Sequence, residues 1–197
     1  IDVSHHNSID IESDGYEKIH NSGREFAFVK GSEGQKTPFD PKAQEFLKGL
    51  KDAGLVVGVY HLGRPAHYPN GAYMEAEHFY EEAGDCIGAG YLRPALDLEQ
   101  EEVNDFLVGH TVKELITWIN NWTEKVQELS DLTEKPILYI TTTIAGELDG
   151  SGDNSIKEYP LWIVDWSDNE KPPTYNNLNN WSFRQYAGDV LQSEAGR

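Results

Sequence analysis

Short runs of apolar and β-branched residues recur along the chain, and stretches with helical spacing of apolar positions separate them. These runs predict seven β-strands. Two of them open after Pro94 and Pro136, where a proline removes no interior ladder bond. In chain order, the predicted strands cover residues 1–4, 26–30, 55–60, 95–99, 137–140, 161–164 and 181–186.

Three of the intervening stretches carry helix signals. Asp40-Pro41 predicts an N-cap followed by proline at the first helical position, and the apolar positions of 43–50 then share one face. Residues 73–82 predict a second helix with exposed acidic positions. Residues 111–114 read Thr-Val-Lys-Glu, a capping box, and an apolar stripe over 112–129 follows it.

Strands that alternate with helices through crossovers of this length are expected to run parallel. Five strand–helix units are followed by strands with weak helix signals. Residues 141–160 and 167–180 are rich in Gly, Asn, Asp and Pro, and we expect loops there. The order of elements favours a single α/β domain over residues 1–197, folded as an incomplete TIM-like barrel rather than an open sheet.

In a parallel α/β barrel, functional side chains lie at the carboxyl ends of the strands. Asp97 and Glu99 are two residues apart on a predicted strand, so they share a face with Cα atoms roughly 6.6 Å apart. Leu96 and Leu98 then face the helices. Two carboxylates whose surroundings separate their pKa values supply the acid and the negative group that glycoside hydrolysis needs. The pattern alone equally allows two solvated acids at a surface strand end.

Other side chains at the same predicted rim could bind a sugar. Aromatic rings stack on the apolar faces of sugars, although each ring taken alone could equally cap the core. Trp162 lies deeper, and we expect it in the core. The candidate residues beside the acidic pair are Asp2, Glu33, Tyr60, Tyr139, Trp166 and Gln185.

A metal site is the alternative use of the histidines. His5, His6 and His61 could reach the rim, with Asp2 or Asp97 as a carboxylate ligand. His5 and His6 are neighbours that should point to opposite faces of an extended segment, which makes a poor chelating pair. We therefore expect no catalytic metal and no cofactor, and we expect His61 to be a hydrogen-bonded histidine of the core or rim.

The charge and hydropathy of the chain exclude two classes of binding partner. The net charge is −18, from 34 acidic and 16 basic residues, whereas binding to nucleic acid requires a basic face. No apolar run approaches the ~20 residues of a membrane helix, so a membrane is not an expected partner either. The single cysteine, Cys86, excludes an intrachain disulfide, which is compatible with the cytosol or with a bacterial or phage product that acts outside the cell.

Seven of these segments resemble, in family order, the glycoside hydrolase family 25 muramidases, the Chalaropsis-type lysozymes. The matches span nearly the whole chain. They are IDVSHHN at 1–7, FVKGSEG at 28–34, GVYH at 58–61, PALDLE at 94–99, PILY at 136–139, LWI at 161–163 and QY at 185–186.

The resemblance implies a (β/α)5(β)3 barrel that hydrolyses the β-1,4 bond from N-acetylmuramic acid to N-acetylglucosamine in peptidoglycan. By matching positions, Glu99 is similar to the general acid, and Asp97 to the carboxylate that stabilises the reacting sugar or orients its acetamide. Asp2 matches a third acid, and Tyr60 and Tyr139 match aromatic rim positions. We therefore expect bacterial peptidoglycan as the partner of a monomer that is secreted or delivered to the wall as a phage lysin.

The sequence departs from the family pattern in two places. The family carries a further Asp on a final strand several residues past the Gln-Tyr pair, and Asp189 comes too early to match it. Two alternatives stay open: the final strand extends beyond Arg197, or the site lacks this carboxylate. The second would favour a barrel that binds wall glycan without turnover. Residues 62–65, Leu-Gly-Arg-Pro, also lack the aromatic that is usual there.

Overall fold

Seven parallel strands form one sheet in a computed structural model that describes residues 1–7, 9, 14–176 and 178–187. All seven predicted strands are present, with ends that differ by up to three residues. The order of the strands along the chain is also their order across the sheet. They are β1 (Asp2–Val3), β2 (Phe26–Glu33), β3 (Val56–Leu62), β4 (Ala95–Asp97), β5 (Ile137–Thr141), β6 (Leu161–Val164) and β7 (Trp181–Gln185).

Helices follow each of the first five strands, which gives the five predicted strand–helix units. They are α1 (Gly15–Asn21), α2 (Ala43–Asp52), α3 (Ala72–Ala83), α4 (Gln100–Leu107), α5 (Val112–Ser130) and α6 (Thr142–Gly150), with short 3-10 helices at Gly84–Cys86 and Asn154–Glu158. The described residues between β6 and β7 contain no helix. The eighth strand expected from the resemblance has no counterpart among the described residues, and Asp189 also lies outside them.

The sheet curls into a half-barrel in which each strand lies beside the next one in the chain. The ring of Phe28 on β2 stacks on Trp162 of β6, with 4.6 Å between centroids, and lies 5.4 Å from Phe183 of β7. These contacts cross the concave interior, where Trp162 is buried as predicted. Gln185 also donates a hydrogen bond to Asp2, which links β7 to β1. The expected single-domain, TIM-like α/β fold is confirmed.

The helices pack a larger apolar core against the convex face. Leu96 and Leu98 belong to this outer core and Ala95 to the inner one, so residues alternate along the fourth strand as predicted. The α5 capping box is also confirmed: the Thr111 hydroxyl accepts the Glu114 N–H at 3.3 Å, and the Glu114 carboxylate accepts the Thr111 N–H at 2.7 Å. No helix in the described ranges is long and apolar enough to cross a membrane.

The predicted loop over residues 141–160 is wrong, because α6 and a 3-10 helix lie there. The side chains of Ile144, Ala145 and Leu148 are completely buried on one face of α6, and the Thr141 hydroxyl accepts the Ile144 N–H. Burial of this face outweighs the low helix propensity of its glycines. The described residues of 167–180 form no helix or strand, as predicted.

Two helix predictions need smaller corrections. α2 begins at Ala43, with Lys42 as its N-cap, rather than directly after Asp40. The Asp40 carboxylate still accepts the Lys42 N–H at 3.0 Å, so it stabilises the turn that precedes the helix. α3 does not expose all of its acidic residues, because Glu75 is completely buried against the sheet.

Candidate active site

The carboxylates of Asp2, Asp97 and Glu99 lie close together at the carboxyl-terminal rim of the half-barrel. Asp97 ends β4 and is only 7% exposed, and its Oδ1 has no hydrogen-bond partner in the described part of the chain. Burial first, and then the negative charges of Glu99 and Asp2, raise the pKa of Asp97 well above its usual value. This environment favours the protonated form of Asp97 in the free protein.

Glu99 lies beyond the end of its strand rather than on it. β4 stops at Asp97, two residues earlier than predicted, and Glu99 is the N-cap residue of α4. Its backbone is still extended, with φ −77° and ψ 146°, so it continues the alternation and stays on the side of Asp97. The Glu99 side chain is exposed and makes no capping hydrogen bond. Glu99 is therefore the carboxylate that a bound substrate can reach most directly.

Two half-buried tyrosines line the same space. Burial, followed by the charges of Asp97 and Asp2, raises the pKa of both Tyr60 and Tyr139, so both hydroxyls stay neutral and can donate hydrogen bonds. The Tyr139 hydroxyl donates to Oε1 of Gln185 at 3.2 Å, and Nε2 of Gln185 donates to the Asp2 carboxylate at 3.1 and 3.3 Å. This chain of hydrogen bonds fixes the position of the Asp2 carboxylate relative to Tyr139.

Glu33 is at the rim, but both of its carboxylate oxygens already accept hydrogen bonds from cationic side chains. A bulge between Lys30 and Ser32 pairs Ser32 with His61, so that Glu33, rather than Ser32, comes to the side of Lys30. Lys30 lies 2.6 Å from Oε2 of Glu33, and the Arg64 guanidinium lies 2.6 Å from Oε1. Although burial opposes ionisation, hydrogen bonds from Lys30 and Arg64 lower the pKa of Glu33.

Trp166 follows β6 at the same rim. It is 64% exposed and makes no ring contact within the described part of the chain. Its indole is therefore available for stacking, but the structure does not bring it into contact with the carboxylates.

The rings of His5 and His61 make hydrogen bonds, and the ring of His6 packs against that of His5. Nδ1 of His5 lies 2.6 Å from the Asp40 carboxylate, and the rings of His5 and His6 are 3.9 Å apart in a turn. The expectation that these two side chains point to opposite faces was therefore wrong, because the segment is a turn and not extended. Over the described ranges, no three His, Cys, Asp or Glu side chains are grouped to hold a metal ion.

His61 is a hydrogen-bonded histidine of the outer core, as predicted. Its Nδ1 lies 2.9 Å from the Ser32 hydroxyl, and its Nε2 lies 3.0 Å from the Glu75 carboxylate. Burial lowers the pKa of His61 to about 3 and raises the pKa of Glu75 to about 8. The pair thus binds the same number of protons across this range and carries no net charge.

This pair predicts a plateau in the pH dependence of stability. Glu75, with its raised pKa, stabilises the fold fully below pH 4.5 and loses that contribution as the pH rises towards 8. His61, with its lowered pKa, stabilises it fully above pH 6.5 and loses that contribution as the pH falls towards 3. The two slopes cancel between about pH 4.5 and 6.5, and above this range the free energy of unfolding should fall by on the order of 1–2 kcal/mol up to pH 8.

Urea unfolding at a series of pH values tests this expectation. Glu75→Gln should flatten the fall above pH 6.5, because it removes the titrating group and keeps an acceptor for His61. Glu81→Gln is the matched control, since Glu81 is an exposed acid on the same helix. An alkaline slope that is equal in wild type and Glu75→Gln would contradict the assignment.

Sequence analysis missed three charged residues close to this site: Arg64, Glu75 and Glu102. Glu102 and Glu75 are buried acids on helices, and Arg64 lies in the segment that departs from the family pattern. The sequence offered no signal for Glu102, because the N-cap that precedes it by three residues is seen only in the structure.

Comparison with known proteins places the chain in a family. The family model described as Glycosyl hydrolases family 25 matches residues 1–194. A curated relative, the autolytic lysozyme of Clostridium acetobutylicum, is 26% identical over 156 residues, which cover 77% of this chain and 41% of the relative. The chain thus spans less than half the length of that relative.

Solved structures share the fold. The bacterial lysozyme from Streptomyces coelicolor has a TM-score of 0.78 at 24% identity, with 95% of this chain and 82% of that chain covered. The muramidase from Acremonium alcalophilum has a TM-score of 0.80 at 21% identity, with 97% and 88% covered. These likenesses show the fold, whereas the family model matches nearly the whole sequence. The resemblance found in the sequence is confirmed: the chain belongs to the glycosyl hydrolases family 25.

Proposed function

We propose that residues 1–197 form the catalytic domain of a muramidase, which hydrolyses the β-1,4 bond between N-acetylmuramic acid and N-acetylglucosamine in bacterial peptidoglycan. The observation that carries this proposal is the grouping of Asp2, Asp97 and Glu99 at one open rim beside two neutral tyrosines. Family membership supports glycoside hydrolysis, and the names of the relatives, lysozyme and muramidase, support the substrate.

Glu99 is the proposed general acid. It is exposed at the rim, so its carboxyl group can reach the oxygen of the bond to be broken. A bound glycan would cover Glu99 and exclude water, so that its proton passes to the leaving oxygen and not to solvent. Protonation of the leaving oxygen lets the bond break with positive charge developing on the sugar ring.

Asp97 and Asp2 are the proposed supporting carboxylates. The unpaired Oδ1 of Asp97 is free to engage the reacting sugar. As positive charge develops on that sugar, Asp97 passes its proton to the Glu99 carboxylate, which has given its own proton to the leaving oxygen. The ionised Asp97 then stabilises the transition state. Asp2, oriented by Gln185, adds a second negative group to the same space.

The remaining rim residues are proposed to bind the glycan. Tyr60 and Tyr139 offer neutral hydroxyl donors, and the exposed indole of Trp166 offers a stacking face. Glu33 and Gln185 complete the proposed binding surface. The substrate places the proposed action at the bacterial wall, by a protein that is either secreted or delivered as a lysin; we further propose that it acts as a monomer.

Product analysis tests the proposed reaction. We expect the protein to clear a suspension of purified peptidoglycan and to release fragments with new muramic acid reducing ends. Addition of a chelator should leave the rate unchanged, and a loss of activity on chelation would instead favour a metal-dependent hydrolase. Sedimentation of the protein with the wall, without any new reducing ends, would support a binding module and contradict the muramidase.

A further inference from the structure

We propose that Arg64 is a positioning residue for the reaction, because its guanidinium holds the first turn of α4, and with it Glu99, through the buried carboxylate of Glu102. The inference rests on the proposed role of Glu99 as the acid. It assigns a function to a side chain that neither strand-end position nor carboxylate chemistry singles out.

The placement of Glu99 depends on the helix that follows it. Glu99 is the N-cap residue of α4, yet its side chain makes no capping hydrogen bond. The position of its carboxylate therefore follows the position of the first turn of α4. Any contact that fixes this turn against the barrel also fixes the distance between Glu99 and Asp97.

Glu102, one turn into α4, makes that contact. Its carboxylate is 3% exposed and does not bond back to the N–H of Glu99, as an acid at this position does in a capping box. Instead, Oε1 accepts the Ala66 N–H at 2.8 Å, and Oε2 accepts from Nη1 of Arg64 at 3.3 Å. The start of α4 is thus bound to the loop that follows β3.

Arg64 is itself fixed from two other sides. Its backbone N–H donates to the buried Glu75 carboxylate at 3.0 Å, and Glu75 is in turn bonded to His61. Its Nε and Nη2 donate to Oε1 of Glu33 at 3.0 and 2.6 Å. One guanidinium therefore links the ends of β2 and β3 to the helix that starts just past β4.

Only a guanidinium suits this arrangement. Its planar fork presents separate N–H groups to Glu33 and Glu102 at the same time, whereas a lysine ammonium is a single point charge. Without the guanidinium, Glu102 would be buried with its remaining backbone and His67 contacts but without its permanent cation. The first turn of α4 is then expected to move, and Glu99 with it.

The test measures kcat and KM separately on soluble peptidoglycan fragments. Because a displacement of about 1 Å can cost 10²-fold in rate, Arg64→Met should lower kcat by about 10- to 100-fold, more than the loss of its contact with Glu33 changes KM. Arg64→Lys should also lose activity, since it keeps the charge and not the fork. Added methylguanidinium should restore part of the rate of Arg64→Ala and leave Arg64→Lys unchanged.

Two controls separate positioning from general destabilisation. Arg93→Met removes another Arg–Glu pair, with Glu134, far from the rim, and should leave kcat unchanged. Combining Arg64→Met with Glu99→Gln should add no further loss, because Arg64 acts through Glu99. Thermal unfolding confirms the fold of each variant, and Arg64→Lys replaces Arg64→Met if the latter does not fold.

The outcomes distinguish this inference from the proposed function. Near-wild-type kcat in a folded Arg64→Met, or an undiminished loss in the Glu99→Gln background, would overturn the positioning role. Full activity of Glu99→Gln alone would instead contradict the assignment of Glu99 as the general acid.

Discussion

Replacing Glu99 with glutamine is expected to lower the hydrolysis of peptidoglycan by ~10²–10⁴-fold, the range that a positioned acid contributes. Glutamine keeps the size of the side chain and cannot give a proton to the leaving oxygen. Because Glu99 is exposed and makes no capping hydrogen bond, the fold should be preserved, with a change in stability within about 0.5 kcal/mol. Release of reducing ends from purified wall measures the first effect, and urea unfolding measures the second.

Glu101→Gln is the matched control for this substitution. Glu101 is an exposed acid on the same first turn of α4, so the variant removes one negative charge at nearly the same place. It should keep activity close to that of the wild type. If both variants lost activity equally, the total charge of the rim would matter and not a proton on Glu99; if neither lost activity, the acid would have to be sought elsewhere.

The strands could be predicted from sequence because their signal is local. Most of them, such as β3, β5 and β6, are short apolar runs, and burial on both faces of a parallel strand demands such a run. α5 was predictable for the same reason, since its capping box and apolar stripe both lie within the helix. α6 was not predictable, because its glycines give the segment a low helix propensity. The helix is stabilised instead by burial of Ile144, Ala145 and Leu148 against the rest of the fold.

Part of the site was predictable, because the ends of parallel strands meet at one edge of the sheet. This rule placed Asp2, Asp97 and Tyr139 correctly at the rim. It could not show that Glu33 is already paired, since that pairing depends on the bulge after Lys30 and on Arg64, which comes from another loop. Contacts between residues far apart in the chain leave no periodic signal.

The sequence also could not predict which carboxylate, Asp97 or Glu99, has the raised pKa. The Asp-x-Glu triplet indicates two carboxylates on one side, and nothing in it tells which is buried. The structure buries Asp97 and exposes Glu99, because the strand ends at Asp97 and Glu99 begins a helix. The raised pKa therefore belongs to Asp97.

Asp97→Asn should produce a more stable and less active protein. Asparagine has the shape of the protonated acid but cannot ionise, so the transition state loses the negative charge that Asp97 would supply. Loss of one electrostatic contact to the transition state typically costs about 10²–10³-fold in kcat. The stability gain follows from the raised pKa. The contribution of Asp97 to stability is full below its ordinary value of 3.8 and is lost as the pH rises, whereas asparagine has no such loss.

Asp165→Asn supplies a control of opposite sign. Asp165 is a buried aspartate just past the end of β6, but hydrogen bonding from Ser167 and the charge of Arg184 lower its pKa. Its contribution is present above pH 3.8 and lost as the pH falls, so Asp165→Asn should be less stable than the wild type at pH 7. Urea unfolding at pH 4 and pH 7 should therefore show the two variants diverging in opposite directions from the wild type. A destabilised Asp97→Asn at pH 7 would mean that the folded protein stabilises the ionised carboxylate of Asp97. The assignment of the buried proton to Asp97 would then be wrong.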